Sequence, residues 1–131
     1  MIYDEENLSA VHEYLCGNSV NILSGDFAET LKSAASGDFV YLDPPYDPVS
    51  KTASFVAYSQ EGFGTQEQVR LKATVDDLTK RGCKVLVSNS DTLFIRNLYR
   101  DYQIATVKAA RAINSNGGRR QKITELLITN Y

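Results

Sequence analysis

Four consecutive residues, Asp43-Pro44-Pro45-Tyr46, concentrate the reactive chemistry of this 131-residue chain. A carboxylate (Asp43) and a backbone carbonyl (Pro44) can each accept one N–H of a primary amine. An amine conjugated to an aromatic ring, as on adenine, is a poor nucleophile because its lone pair is delocalised into the ring. Acceptors on both hydrogens favour a more tetrahedral nitrogen, with its lone pair aimed at an electrophilic methyl group. Pro44 and Pro45 fix φ and hold those acceptors before anything binds, which is preorganisation rather than binding energy. Tyr46 adds a flat face on which a base flipped from its duplex can stack, worth about 1–3 kcal/mol. This chemistry needs neither a covalent intermediate nor a metal. A rigid Pro-Pro turn after a strand would explain the prolines but not the Asp and Tyr that flank them.

The elements around this tetrapeptide must present it. It directly follows Phe39-Val40-Tyr41-Leu42, a compact apolar run of the kind found in buried parallel strands. In an open α/β sheet, ligands gather beyond the carboxyl ends of the strands, so place and motif agree. Upstream, Leu8, Val11 and Leu15 recur at helical spacing behind acidic residues, which predicts a helix over 5–15 stopped by Gly17-Asn18. A short strand is expected at 20–23 and a short helix over 28–35. Residues 43–64 read as a loop. Thr65 and Gln68 fit a capping box for a helix running to Lys80 and ending at Gly82. A buried strand is expected over 84–88, a helix over 92–99 capped by Asp91, and strands over 103–108 and 122–130. The Gly-rich stretch 114–118 separates the last two strands. The order βαβ-loop-αβαβ-loop-β indicates an α/β sheet with an antiparallel C-terminal edge.

Composition is ordinary for one globular domain, with 43% hydrophobic and 23% charged residues. No apolar run is long enough for a membrane-spanning helix, and the start of the chain is acidic, unlike a signal peptide. Cys16 and Cys83 lack metal-ligand spacing and read as reduced thiols of a cytoplasmic protein. The sole histidine, His12, reads as a surface or helix-packing residue. Charge is uneven. Residues 1–49 carry nine acidic side chains and one basic one, residues 50–131 seven and thirteen. Between 102 and 124 there are five basic residues and no acidic one. Such a stretch suits a polyanion whose counterions are released on binding, or else is a solvated basic edge.

Taken together, these stretches resemble the DNA adenine-N6 methyltransferases of the Dam type. The resemblance rests on Asp43-Pro44-Pro45-Tyr46, on Thr52-Ala53-Ser54-Phe55-Val56-Ala57-Tyr58, on Ser88-Asn89-Ser90-Asp91-Thr92, and on residues 114–118 with Arg119 and Glu125-Leu126-Leu127. The tetrapeptide alone is shared with other amino methyltransferases; the ordered set is more specific. The resemblance implies a Rossmann-like methyltransferase fold, S-adenosyl-L-methionine as methyl donor and an extrahelical adenine in double-stranded DNA as acceptor. Asp26-Phe27 falls where the family lines the cofactor's adenine, with Asp43 facing the methionine end. A helix cap followed by a core aromatic describes Asp26-Phe27 equally well. Residues 51–64 read as a flap over the flipped base, with Tyr58 toward the DNA, or as an ordinary surface loop. Arg119, Arg120 and Lys122 are the candidates for phosphate contact. Ser88-Asn89 reads as pocket wall or, preferentially, as a structural cap for the helix at Asp91.

The family's Gly-rich strand-to-helix turn, its acidic ribose-binding residue and its target-recognition domain do not occur in this sequence. Gly62-Phe63-Gly64 follows a loop rather than a strand and is no substitute. The expectation is therefore a partial sheet lacking the amino-terminal strands. Residues 1–131 would be the C-terminal part of a catalytic domain, with a complementary N-terminal fragment or a second copy of the chain as partner. Two other functions stay open: a catalytically silent nucleic-acid-binding remnant, and an amino methyltransferase acting on RNA or protein.

Overall fold

Four strands and the helices between them carry the Asp43 region. The computed structural model describes residues 4–17, 19–49, 63–109 and 123–131. The chain divides into two compact units, Met1–Lys32 and Ser33–Tyr131.

In the first unit, α1 spans Glu5–Leu15. Asp4 caps it by accepting a hydrogen bond from the Asn7 amide at 3.1 Å, and Glu5 and Glu6 sit favourably at the positive end of the helix dipole. None of its residues is buried, so its apolar stripe of Leu8, Val11 and Leu15 faces solvent. His12 lies 3.7 Å from the Cys16 sulfur on this exposed surface. Residues 20–23, expected as a strand, join no ladder among the described residues, and Ile22 and Leu23 stand exposed. A strand exists only as part of a ladder, and β-branched content alone does not make one. The helix expected over 28–35 is shorter: α2, Phe27–Thr30, tightens into a 3-10 turn at Leu31–Ser33.

The second unit holds a mixed sheet of β1 (Phe39–Leu42), β2 (Lys84–Ser90), β3 (Gln103–Ala109) and β4 (Ile123–Thr129) in the order β1-β2-β4-β3. β1 and β2 are parallel, and β4 runs antiparallel to both β2 and β3. The last strand thus inserts beside β2, and β3 takes the edge. Helix α3 (Thr65–Lys80) follows β1, and α4 (Leu93–Leu98) follows β2. Gln68, Leu71, Val75 and Leu78 recur at helical spacing as the buried stripe of α3. Their partners are alternate residues of the strands, Val40, Val85, Val87, Leu126 and Ile128, each at most 9% exposed. Burying each of the larger aliphatic side chains contributes about 1.5–3 kcal/mol. Gly82 closes α3 at φ +82°, and a Cβ there would lie 2.7 Å from the Ser36 hydroxyl, so the reversal into β2 requires glycine.

Two helix starts differ from expectation. The N-cap of α3 is Gly64, without a side-chain cap, and Gln68 is buried instead of closing a capping box with Thr65. The cap of α4 is Thr92, which accepts from the Ile95 amide at 3.2 Å, whereas Asp91 pairs with Arg96 at 2.6 Å. Gln68 is taken by tertiary partners, whereas Asp91 is taken by Arg96, five residues on in α4 itself.

Candidate active site

Parallel pairing brings the carboxyl ends of β1 and β2 together. Leu42 lies opposite Val87, so Asp43, the next residue, meets Ser88. The Ser88 hydroxyl donates to Asp43 Oδ1 at 2.7 Å and accepts from the Tyr41 hydroxyl at 3.1 Å. The Tyr46 hydroxyl is also hydrogen-bonded to Ser88. One serine therefore gathers Tyr41, Asp43 and Tyr46 at the strand end. Burial, joined by repulsion from Glu125, Asp43 and Tyr41, pushes the Tyr46 phenol above its ordinary range against the lowering effect of Ser88. At neutral pH Tyr46 is accordingly an uncharged ring.

The acceptors of the tetrapeptide are not equivalent. Asp43 is exposed, and its second oxygen has no hydrogen-bond partner among the described residues. The Pro44 carbonyl likewise has none among the described residues. The Pro45 carbonyl, by contrast, accepts from Gln68 Nε2 at 2.9 Å. Beyond Tyr46, the Asp47 amide donates to Asn89 Oδ1 at 3.0 Å, and its carboxylate accepts from the Thr92 hydroxyl at 2.6 Å. Of the four sequence-predicted catalytic residues, Asp43 and Tyr46 meet at Ser88, Pro44 keeps an open acceptor and Pro45 is tied down.

The other predicted site residues fare differently. Asp26 accepts from the Ala28 amide at 3.0 Å as the N-cap of α2, and Phe27 is half-buried; both belong to the Met1–Lys32 unit. Tyr58, Arg119, Arg120 and Lys122, residues 51–62 of the expected flap and the stretch 114–118 lie outside the described residues. Ser88 and Asn89 cap no helix: Ser88 reaches Asp43, and Asn89 holds Asp47. Sequence reasoning missed Gln68, Asp47 and Thr92. The available signal was Gln68, a polar residue on the otherwise apolar stripe shared with Leu71, Val75 and Leu78.

Comparison with known proteins gives a consistent answer. Residues 1–113 match the family model described as D12 class N6 adenine-specific DNA methyltransferase. A Type II methyltransferase of Lactococcus lactis subsp. cremoris is 43% identical over 130 residues, covering 99% of this chain and 46% of the relative. A Type II methyltransferase of Methanocaldococcus jannaschii is 42% identical over 132 residues, covering 99% and 45%. The DNA adenine methylase of Escherichia coli is 41% identical over 101 residues, covering 77% and 36%. The chain therefore spans less than half the length of these relatives. No helix among the described residues is long and apolar enough to cross a membrane.

Proposed function

The chain belongs to the D12 class of N6 adenine-specific DNA methyltransferases, and we propose that it forms the C-terminal catalytic part of an enzyme that methylates N6 of a flipped adenine in DNA. The observation that carries this reading is the inequality of the acceptors. Among the described residues, Asp43 Oδ2 and the Pro44 carbonyl have no partner, side by side in sequence at a strand end, while the neighbouring Pro45 carbonyl accepts from Gln68. A primary amine has two hydrogens to place, and these two acceptors take one each. Accepting them shifts the nitrogen lone pair out of the ring, and the neutral Tyr46 ring supports the base.

The methyl donor in this proposal is S-adenosylmethionine, which when bound supplies an electrophilic methyl group on a cationic sulfur. The residues present fit such a ligand in part: Asp43 offers an exposed carboxylate to positive charge. Asp26, Phe27 and Asp43 are the proposed cofactor contacts, and Tyr58, Arg119, Arg120 and Lys122 the proposed DNA contacts. The sheet is read as the C-terminal side of a Rossmann-like methyltransferase sheet. The proposed partner at the uncompleted side of this sheet is a complementary N-terminal fragment, or a second copy of the chain pairing with it.

The test is transfer of a labelled methyl group to an adenine-containing duplex. The chain is assayed alone and with the amino-terminal half of a relative, and the products are digested to nucleosides. The expected label is on N6-methyladenine and vanishes in Asp43→Ala. Label on RNA or protein instead would replace the reading with the broader amino methyltransferase. No label in any arm would favour a silent binding remnant.

A further inference from the structure

Two polar side chains interrupt the apolar layer between α3 and the sheet. Gln68 is 1% exposed and Asn89 0%. Burying a primary amide is costly unless its donors and acceptors are met. The bonds here form a directed series. The backbone amides of Asp47 and Ser90 both donate to Asn89 Oδ1, at 3.0 and 2.8 Å. That fixes Asn89 Nδ2 toward Gln68 Oε1 at 3.1 Å, which in turn fixes Gln68 Nε2 toward the Pro45 carbonyl at 2.9 Å. Turning either amide over would set donor against donor or acceptor against acceptor, so one arrangement alone satisfies the series.

We propose that Gln68 and Asn89 are positioning residues for the methyl transfer; this rests on the reaction inferred above. Neither proline of Asp43-Pro44-Pro45-Tyr46 has an amide hydrogen, so this stretch has little means of anchoring itself through its own backbone. The two buried amides supply the anchors from outside. They grip the backbone on both sides of Tyr46, at the Pro45 carbonyl and the Asp47 amide. They also engage the Pro45 carbonyl, so that among the described residues of this stretch the Pro44 carbonyl and Asp43 Oδ2 are the acceptors left without a partner. Positioning of this kind acts on the reacting geometry and not on affinity for DNA or donor.

Two variants separate the anchors. Gln68→Met keeps volume and removes the donor to Pro45. Asn89→Asp keeps the acceptor for the Asp47 and Ser90 amides, but forces the Gln68 amide to turn its NH2 toward the new carboxylate and away from Pro45. In the full chain, in whichever assembly transfers methyl groups, both should lower kcat by about ten- to a hundredfold, the scale of a small misplacement of reacting groups. KM for DNA and for donor should stay within about twofold, as expected when uniform binding is untouched. In the chain itself, the Pro45 carbonyl carbon resonance should shift in both variants while the Asp47 amide stays slow to exchange in Asn89→Asp.

Unchanged kcat per folded molecule, a loss confined to KM, or a Pro45 resonance indifferent to Gln68→Met would each overturn the proposal. Wild-type protein whose Pro45 resonance responds as expected but which methylates no adenine would overturn the reaction assignment, and with it the positioning role, while leaving the anchor itself established. An indifferent resonance with normal transfer would refute the anchor alone.

Discussion

Alternate residues of the same strands build two faces of the sheet with opposite character. On β1, Val40 is 9% exposed beneath α3, whereas Phe39 and Tyr41, one residue to either side, are 58% and 54% exposed. On β2, Val85, Val87 and Asn89 face the helix, and Ser88 faces the side that carries Tyr41 and Asp43. The covered face is mostly apolar, with the hydrogen-bonded amides of Gln68 and Asn89 at fully buried positions. The open face carries Asp43, whose Oδ2 has no partner among the described residues. Chemistry on one side is thus set by packing on the other, and the two meet at neighbouring residues, Ser88 and Asn89.

That division of labour can be broken from either side. The largest effect expected is at Asp43. Asp43→Ala should reduce methyl transfer by about a thousandfold, the upper range for losing a preorganised charge-stabilising group. Its melting temperature should scarcely move, since the carboxylate is exposed. Next comes the covered face: Leu126→Ala, at a position with no exposure, should cost about 2–5 kcal/mol in urea denaturation. Any folded remainder should keep its kcat. Ser88→Ala, at the junction, should lower transfer by about tenfold through a loosened Asp43 and Tyr46, with about 1 kcal/mol lost in stability from unpaired hydroxyl partners.

The smallest effect lies away from both faces. Hydrogen bonds from Arg96 hold the Asp91 carboxyl below the ordinary 3.8. For Asp76 burial works the other way, but hydrogen bonds from Lys72 and Tyr102 outweigh it and again lower the value. Groups depressed in the folded state contribute stability that is complete above the unfolded value and is lost as pH falls through the folded one. Melting temperature should therefore decline as pH drops below about 4, the unfolded carboxylate range. Asp91→Asn or Asp76→Asn should flatten that decline without touching transfer at neutral pH.

Much of the fold was legible because its signals are local. The apolar runs 39–42 and 85–87, the helical stripe ending at Gly82, and the β-rich tail each mark one element, and all appear close to their expected bounds. The motif was legible for a similar reason: two prolines with flanking Asp and Tyr have few structural uses in that order. What escaped prediction depends on partners distant in sequence. Residues 20–23 carry strand-forming types but find no ladder among the described residues. Gln68 resembles half of a capping box until Pro45 and Asn89, more than twenty residues away on either side, claim its amide. Local propensity cannot see these competitions. The cap of α4 is a separate, local case: Thr92 takes that place, and Asp91 pairs with Arg96 five residues on.

The central claim is that Asp43 Oδ2 and the Pro44 carbonyl receive the two hydrogens of an adenine amine. The direct measurement is a crystal structure of the transfer-competent assembly with a duplex containing the target adenine and a donor analogue that cannot react. The account predicts N6 within about 3 Å of both oxygens, ordinary hydrogen-bond distance, with the Pro45 carbonyl still on Gln68. An adenine amine bound elsewhere, or held by Pro45 while Pro44 stays empty, would contradict it.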